Sequence, residues 1–456
     1  MKRTLAEAAR AIGAQLKGED RQFGEVCSDT RTLEAGQLFV ALRGPNFEAN
    51  QFVAEAAKRG AAGAIVERLQ AVVLPQLVVP DSLMALTALA RAWRKQFSLP
   101  LVGIGGSNGK TTVKEMTAAI LSQLGQCLAT RGNLNNHIGV PLTLMRLEAA
   151  HRSAVIEIGA NRAGEVAALA ALAEPTVGLV TNAGDEHLEG FGSLEGVARA
   201  EGEMFSALGG AQTAVINLDD PFAPLWRELT GARRAVTFGL NAHANFSARD
   251  VQQRIDATRG ALEFTLQTPT GATRVRLQVL GRHNVVNALA AAAAASAAGA
   301  NLEHCQQGLE SVRAVRGRLD LKAAANGAAI IDDSYNANPN SARAAIDVLQ
   351  DVSRNGWLLL GEMAELGDFA EASHIEIGRY ARERGVLRLL AVGELTRHAV
   401  EAFGEGAQWF ASVDSVIERL AAELAPEVTL LVKGSRINRL ERVVEALTRS
   451  KFMKTA

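Results

Sequence analysis

Apolar positions along this chain follow two alternating patterns. Short continuous apolar runs predict buried strands, and longer stretches with a period near 3.6 predict amphipathic helices. In the first 98 residues, QLFVAL, GAIVE and PQLVV read as strands, and NQFVAEAAKRGA and SLMALTALARAWRKQF as helices. Leu99-Pro100 then interrupts the chain. From residue 101 a unit repeats: apolar run, polar or glycine loop, helix. LVGIGG leads into a predicted helix over about 110–124, and SAVIEIGA, TVGLVTNAG and QTAVINLDD follow as buried strands ending in polar residues. ALEFTLQT and RVRLQVLG alternate like an antiparallel pair. The run ALAAAAAASAAGA (288–300) is too short and too weakly apolar to span a bilayer, so it reads as a tightly packed helix. VRGRL, near 314–318, marks a second boundary, after which AAIIDD, WLLLGEM, LRLLAVGE and TLLVKGS begin a new series of strands. The expectation is an α/β protein of three domains, 1–98, 99–314 and 315–456, with parallel, helix-covered sheets in the second and third.

The bulk numbers narrow the function. Lys and Arg total 48 against 49 Asp and Glu, a net charge of -1, which gives no reason to expect nucleic acid or membrane insertion. An anionic substrate would need a local basic site. Cys27, Cys127 and Cys305 are scattered and odd in number, which predicts a reducing, cytoplasmic setting. The opening MKRTLAEAARAIGAQL is patterned as an amphipathic helix and not as a signal peptide.

GIGGSNGKTT (103–112) carries the first chemistry. A glycine loop between a buried strand and a helix aims backbone N–H groups and the helix N-terminus at a polyphosphate. Lys110 can reach terminal phosphates, and the Thr111 hydroxyl can bind Mg²⁺. The usual spacing needs a glycine six residues before the lysine, yet Ile104 stands there. Further candidates follow the next strands. Glu157 ends VIE, where an unpaired acid is expensive and a divalent cation is a natural partner. Asn182, Asp185, Glu186 and His187 follow TVGLV, and His283, Asn284 and Asn287 open the alanine-rich helix. The plainer readings are an arginine-paired carboxylate, a surface histidine and helix-capping asparagines.

The form Gly106-Ser107-Asn108-Gly109-Lys110-Thr111 resembles the loop of the Mur ligases and the related folylpolyglutamate synthases, which use ATP to join a carboxylate to an amine. The resemblance covers essentially the whole chain in order. It implies that the loop, with Thr112, binds ATP, helped by Asn284, Asn287, the linker Arg318 and Asp333. It also implies two Mg²⁺ ions, one on Thr111 and a second that Glu157 and His187 help bind. One departure stands out. GVARAEGEMF resembles a segment usually reading A-K-G-E, whose lysine carries a carbamate in the metal site, but here that position is Glu201. We expect Glu201 to keep the negative charge there; the plainer reading is a solvated helical carboxylate paired with Arg199 or a neighbouring turn.

Ser28-Asp29-Thr30-Arg31 resembles the UDP-sugar-binding first domain shared by the diamino-acid-adding and D-Ala-D-Ala-adding branches. RGNLNNHIGVPLTLM, DDSYNANPNS and LGEMAELG resemble the second branch. The implied substrates are UDP-N-acetylmuramoyl-tripeptide and D-Ala-D-Ala, joined through an acyl phosphate by a monomer. Expected substrate contacts are Thr130, Asn133, Asn135, Asn136 and Asn336, with Lys433, Ser435 and Arg436 able to receive the dipeptide carboxylate. Loop capping and an ordinary solvated loop are the plainer readings of these groups. Two competing functions are a folylpolyglutamate synthase and an ATP-binding conformational switch. Because the sites lie on different domains, closure around the ligands is predicted.

Overall fold

The computed structural model describes residues 3–44, 47–184, 188–256 and 259–449. Strand and helix follow the hydrophobic pattern closely, and they assemble into three main sheets. The first has five strands in the order 15–17, 76–78, 63–66, 38–40, 26–27. The second has six, ordered 127–129, 153–157, 101–105, 177–180, 213–217, 234–238, all parallel. The third also has six: 320–323, 329–333, 429–433, 356–361, 388–392, 407–410, with only the first pair antiparallel.

The predicted pair of alternating strands is present at 259–268 and 271–277 and is antiparallel. It gains a third strand, 247–256, that the sequence reading left out. Its run is interrupted by Arg249, Asp250, Gln252 and Gln253, so it lacks the clean apolar alternation that marks a half-buried strand.

In the second sheet, strand Leu101–Gly105 lies between 153–157 and 177–180, so connections leave it in both directions. That is the switch point at which a doubly wound sheet opens a crevice at its carboxyl edge. The alanine run is a helix, His283–Ala297, with Ala288 and Ala290–Ala295 at most 1% exposed. Small side chains let helices pack closely. At Gly308, on the next helix, an added Cβ would sit 2.4 Å from the Ile120 backbone of the helix that follows the glycine loop.

The three sheets do not join alike. One continuous apolar core runs from Leu38, Ile65 and Trp93 in the first to Leu101, Ile156 and Val180 in the second. Three side chains of the first unit also donate to carbonyls of the second. Arg3 Nη1 reaches Met145 at 2.7 Å, Trp93 Nε1 reaches Leu147 at 3.1 Å, and Arg94 Nε reaches Ala173 at 2.7 Å. The third sheet has its own cores and takes only Leu280 from the second.

Trp93→Ala should therefore destabilise both of the first two units together, by about 3–5 kcal/mol in chemical denaturation. A separate early transition for the first unit would contradict the shared core. A second expectation concerns His374, fully buried, whose Nε2 accepts from Met363 N–H while Nδ1 faces the Ala370 carbonyl at 2.6 Å. Burial holds this imidazole below the ordinary value of 6.5. The folded state therefore prefers it neutral, and the stability it contributes is present above that value and lost as pH falls through the lowered one. The melting temperature should drop more steeply below about pH 6.5 in the wild type than in His374→Gln.

Candidate functional site

The glycine loop bends as it does because two of its residues leave no room for a side chain. Gly106 has φ +112° and would place a Cβ 2.1 Å from Thr181 Oγ1; Gly109 has φ +83° and would place one 2.5 Å from Asn287 Oδ1. Ile104, at the position where the usual motif has glycine, is fully buried inside the strand, so the turn starts later and needs no glycine there. The loop's backbone is held on both sides. Ser107 N–H donates to the Asn182 carbonyl at 2.9 Å. Asn108 N–H donates to Asn182 Oδ1, and Asn182 Nδ2 returns a bond to the Asn108 carbonyl, both at 2.9 Å. Lys110 opens the helix Lys110–Leu121, and its Nζ folds over the loop to the Ser107 carbonyl at 2.9 Å.

This loop forms one wall of a cleft of about 1820 Å³ between the second and third sheets. Of the expected nucleotide contacts, Ser107 to Thr112, Asn284, Asn287, Arg318 and Asp333 all line it. Asn287 Nδ2 donates to Asn284 Oδ1 at 2.8 Å, so the two asparagines act as a pair beneath the loop. Arg318 crosses from the linker: its Nη2 donates to Thr111 Oγ1 at 3.0 Å, and its guanidinium lies 4.6 Å from the Tyr335 ring centre. Left-handed backbone at Gly317 and Leu319 turns the arginine inward, and Leu319 N–H is anchored by Asp333 Oδ1 at 3.2 Å.

Asp333 uses its other oxygen on Lys433, at 2.6 Å. Lys433 is therefore no solvated loop residue: it is 2% exposed, and it also donates to the Asn336 carbonyl. Ser435 is buried, accepting from Ala364 N–H and donating to the Ala337 carbonyl. Arg436 is exposed and paired with Glu441 at 2.9 Å. Both line the third-domain wall together with the exposed Asn336 and Ile437.

Across the cleft, Asn133, Asn135 and Asn136 also line the wall. Asn136 Oδ1 accepts from Ile138 and Gly139 N–H, the capping role its spacing allowed. Thr130 is turned away: its hydroxyl accepts from Glu157 N–H, and its carbonyl from the fully buried Lys114 at 2.8 Å. Ser28, Asp29, Thr30 and Arg31 lie in the turn after strand 26–27 of the first sheet, outside this lining, with Arg31 paired to Asp29 at 2.6 Å. His187 lies outside the described residues. The three cysteines are free, and burial pushes the Cys127 thiol up to about 11, too high for a thiolate nucleophile at neutral pH.

Asp219, Asp220 and Asn338 also line the cleft and were not singled out from sequence. Asp220 accepts from Ala183 and Phe222 N–H, and its burial raises the carboxyl above its ordinary range. The signal was available: LDD follows a buried strand at the carboxyl edge of the sheet, as Glu157 and Asn182 do.

Known proteins match this architecture. The Mur ligase middle domain matches residues 104–295, and the Mur ligase glutamate ligase domain matches residues 317–436. The chain is 44% identical to UDP-N-acetylmuramoyl-tripeptide–D-alanyl-D-alanine ligase of Escherichia coli K12, covering 97% of this chain and 98% of that one. It superposes on MurF from Acinetobacter baumannii with a TM-score of 0.91 at 34% identity, covering 98% and 99% of the two chains. MurF of Thermotoga maritima in complex with ADP gives 0.80 at 25%, covering 93% and 97%.

The chain belongs to the Mur ligase family.

Within this Mur ligase, Glu201 takes a position the family pattern did not foretell. It is 3% exposed, and its Oε2 accepts from Gly106 N–H at 2.6 Å. Arg199 pairs with Glu195, and Glu201 makes a bond to the glycine turn, so of the plainer reading only the solvated carboxylate is excluded, by burial. The shorter side chain is drawn against the base of the loop.

Glu157 is 2% exposed; Oε1 accepts from Asn135 Nδ2 at 2.9 Å, and Oε2 is buried with no hydrogen-bond partner among the described residues. Such an oxygen is costly without a cation, so the site fits a divalent ion. Among the described residues no group of three or more metal-binding side chains is present. Glu157→Gln should stabilise the unliganded protein by about 1 kcal/mol while weakening Mg²⁺ binding, because the uncompensated charge is gone. Calorimetry with Mg²⁺ in the presence of ADP, and melting without either, measure both; a destabilised variant with unchanged affinity would contradict this reading.

Proposed function

We infer that this chain joins D-alanyl-D-alanine to UDP-N-acetylmuramoyl-tripeptide at the expense of ATP, the peptide-adding step that its full-length relatives are named for. The observation that carries the mechanism is Arg318 of the linker reaching Thr111 of the phosphate loop. That contact brings the third-domain wall of the cleft up to the nucleotide, so acyl acceptor and phosphoryl donor can share one cleft.

A carboxylate is a poor electrophile, and its phosphorylation creates a leaving group that an amine can displace. In this reading the tripeptide carboxylate attacks the γ-phosphate, and the dipeptide amine then displaces phosphate from the acyl phosphate. The N–H groups that open the helix Lys110–Leu121, together with the Lys110 side chain, hold and neutralise the triphosphate, the main task in phosphoryl transfer, while the N–H groups of Gly106, Ser107 and Asn108 are spent on Glu201 and Asn182. Asn284 and Asn287 support the loop from below. Asn135 orients Glu157, which would hold one Mg²⁺ with His187 as its other expected ligand, while Thr111 would hold another. When bound, the ions supply charge neutralisation at the phosphates. Glu201 acts on the base of the loop. The exposed Arg436 and Asn336 are the open polar groups for the dipeptide, while Lys433 holds the wall in shape through Asp333. Ser28 to Arg31 remain the proposed UDP contacts of the first domain. The free thiols support a reducing, cytoplasmic setting.

The deciding assay is ADP release with each substrate omitted in turn. Release should require both UDP-tripeptide and D-Ala-D-Ala, and Lys110→Ala should lower kcat/KM by about 10³-fold or more. Equal release without either substrate would favour an ATP-driven conformational switch.

A further inference from the structure

We propose that Asn338 is a positioning residue that ties docking of the third domain to the working shape of the phosphate loop; this rests on the ligase reading above. Asn338 is the N-cap of the helix Pro339–Val352 and is 6% exposed. Its side chain does two things at once. Oδ1 accepts from Ser341 N–H at 2.8 Å, which caps the helix. Nδ2 reaches out of the domain and donates to Asn108 Oδ1 at 2.9 Å, across 230 positions of sequence.

Asn108 stands at the top of the loop, two residues before Lys110. Its own peptide is already fixed by Asn182 through bonds to both N–H and carbonyl. The bond from Asn338 therefore fixes the remaining freedom of this residue, its side chain. With Arg318 on Thr111, the third domain grips the loop on both sides of Lys110. The space is close: a Cβ added at Gly184 would lie 3.0 Å from Asn108 Nδ2 and 3.1 Å from Asn340 Nδ2. Asn338 touches no reacting atom in this arrangement. It acts through Asn108, making the loop's transfer geometry conditional on a docked third domain.

Two variants separate this role from simple helix capping. Asn338→Ser keeps a strong N-cap but is too short to reach Asn108. Asn108→Ala removes the same bond from the loop side and leaves the cap untouched. In the two-substrate ADP assay, each should lower kcat about tenfold with KM for ATP within about twofold, since positioning and not ground-state binding is lost. The melting temperature of Asn338→Ser should stay within about 2 °C of wild type. The double variant should be no slower than the slower single one, because both remove one interaction. Undiminished kcat in either single variant, or losses that multiply in the double, would overturn the proposal. Wild-type turnover in the same assay reports separately on the ligase reading.

Discussion

A phosphate loop works only if its backbone is fixed before the nucleotide arrives, because N–H groups that must reorganise lose much of their electrostatic advantage. In this protein the fixing is done chiefly by side chains from neighbouring strand ends. Asn182 holds the loop from the adjacent strand, Glu201 accepts from Gly106 N–H at its base, and Asn287 fills the space over Gly109. Positive φ at Gly106 and Gly109 is what allows these groups to come so close.

The way the sheets are joined follows a division of labour. The first two units share an apolar core, reinforced by three buried donors to backbone carbonyls. A continuous dry core resists relative motion. The third unit meets the loop through two polar contacts, Arg318 on Thr111 and Asn338 on Asn108. Contacts of that kind exchange readily with water, so the same groups can hold ligands in and let products leave.

Charge within the cleft is arranged with equal economy. The third-domain wall pairs the partly buried Asp333 with the buried Lys433, and the buried Asp332 beside it pairs with Lys322 of the adjacent strand. Removing either member of such a pair would leave an uncompensated charge. Glu157 differs, because one of its oxygens has no partner among the described residues. That contrast marks it as a group shaped for something outside the chain.

Much of this was legible in the linear pattern. Apolar runs located nearly every central strand, because a strand buried on both faces must be continuously apolar. Glycine spacing and the residues after each run pointed to the carboxyl edges of the sheets, where Lys110, Glu157, Asn287 and Asp333 do stand. Which polar groups remain available was not legible. Thr130, Lys433 and Ser435 looked as open as Asn336 or Arg436, yet folding engages all three in internal hydrogen bonds. Asn338 was one polar residue within DDSYNANPNS, and Glu201 stood at an expected metal-site position. A sequence states what a side chain can bond to; its partner depends on distances set by residues a hundred or two hundred positions away. Local pattern thus determined the elements and the loop chemistry. Only tertiary packing decided which of those polar atoms were consumed in holding the cleft together and which were left facing it.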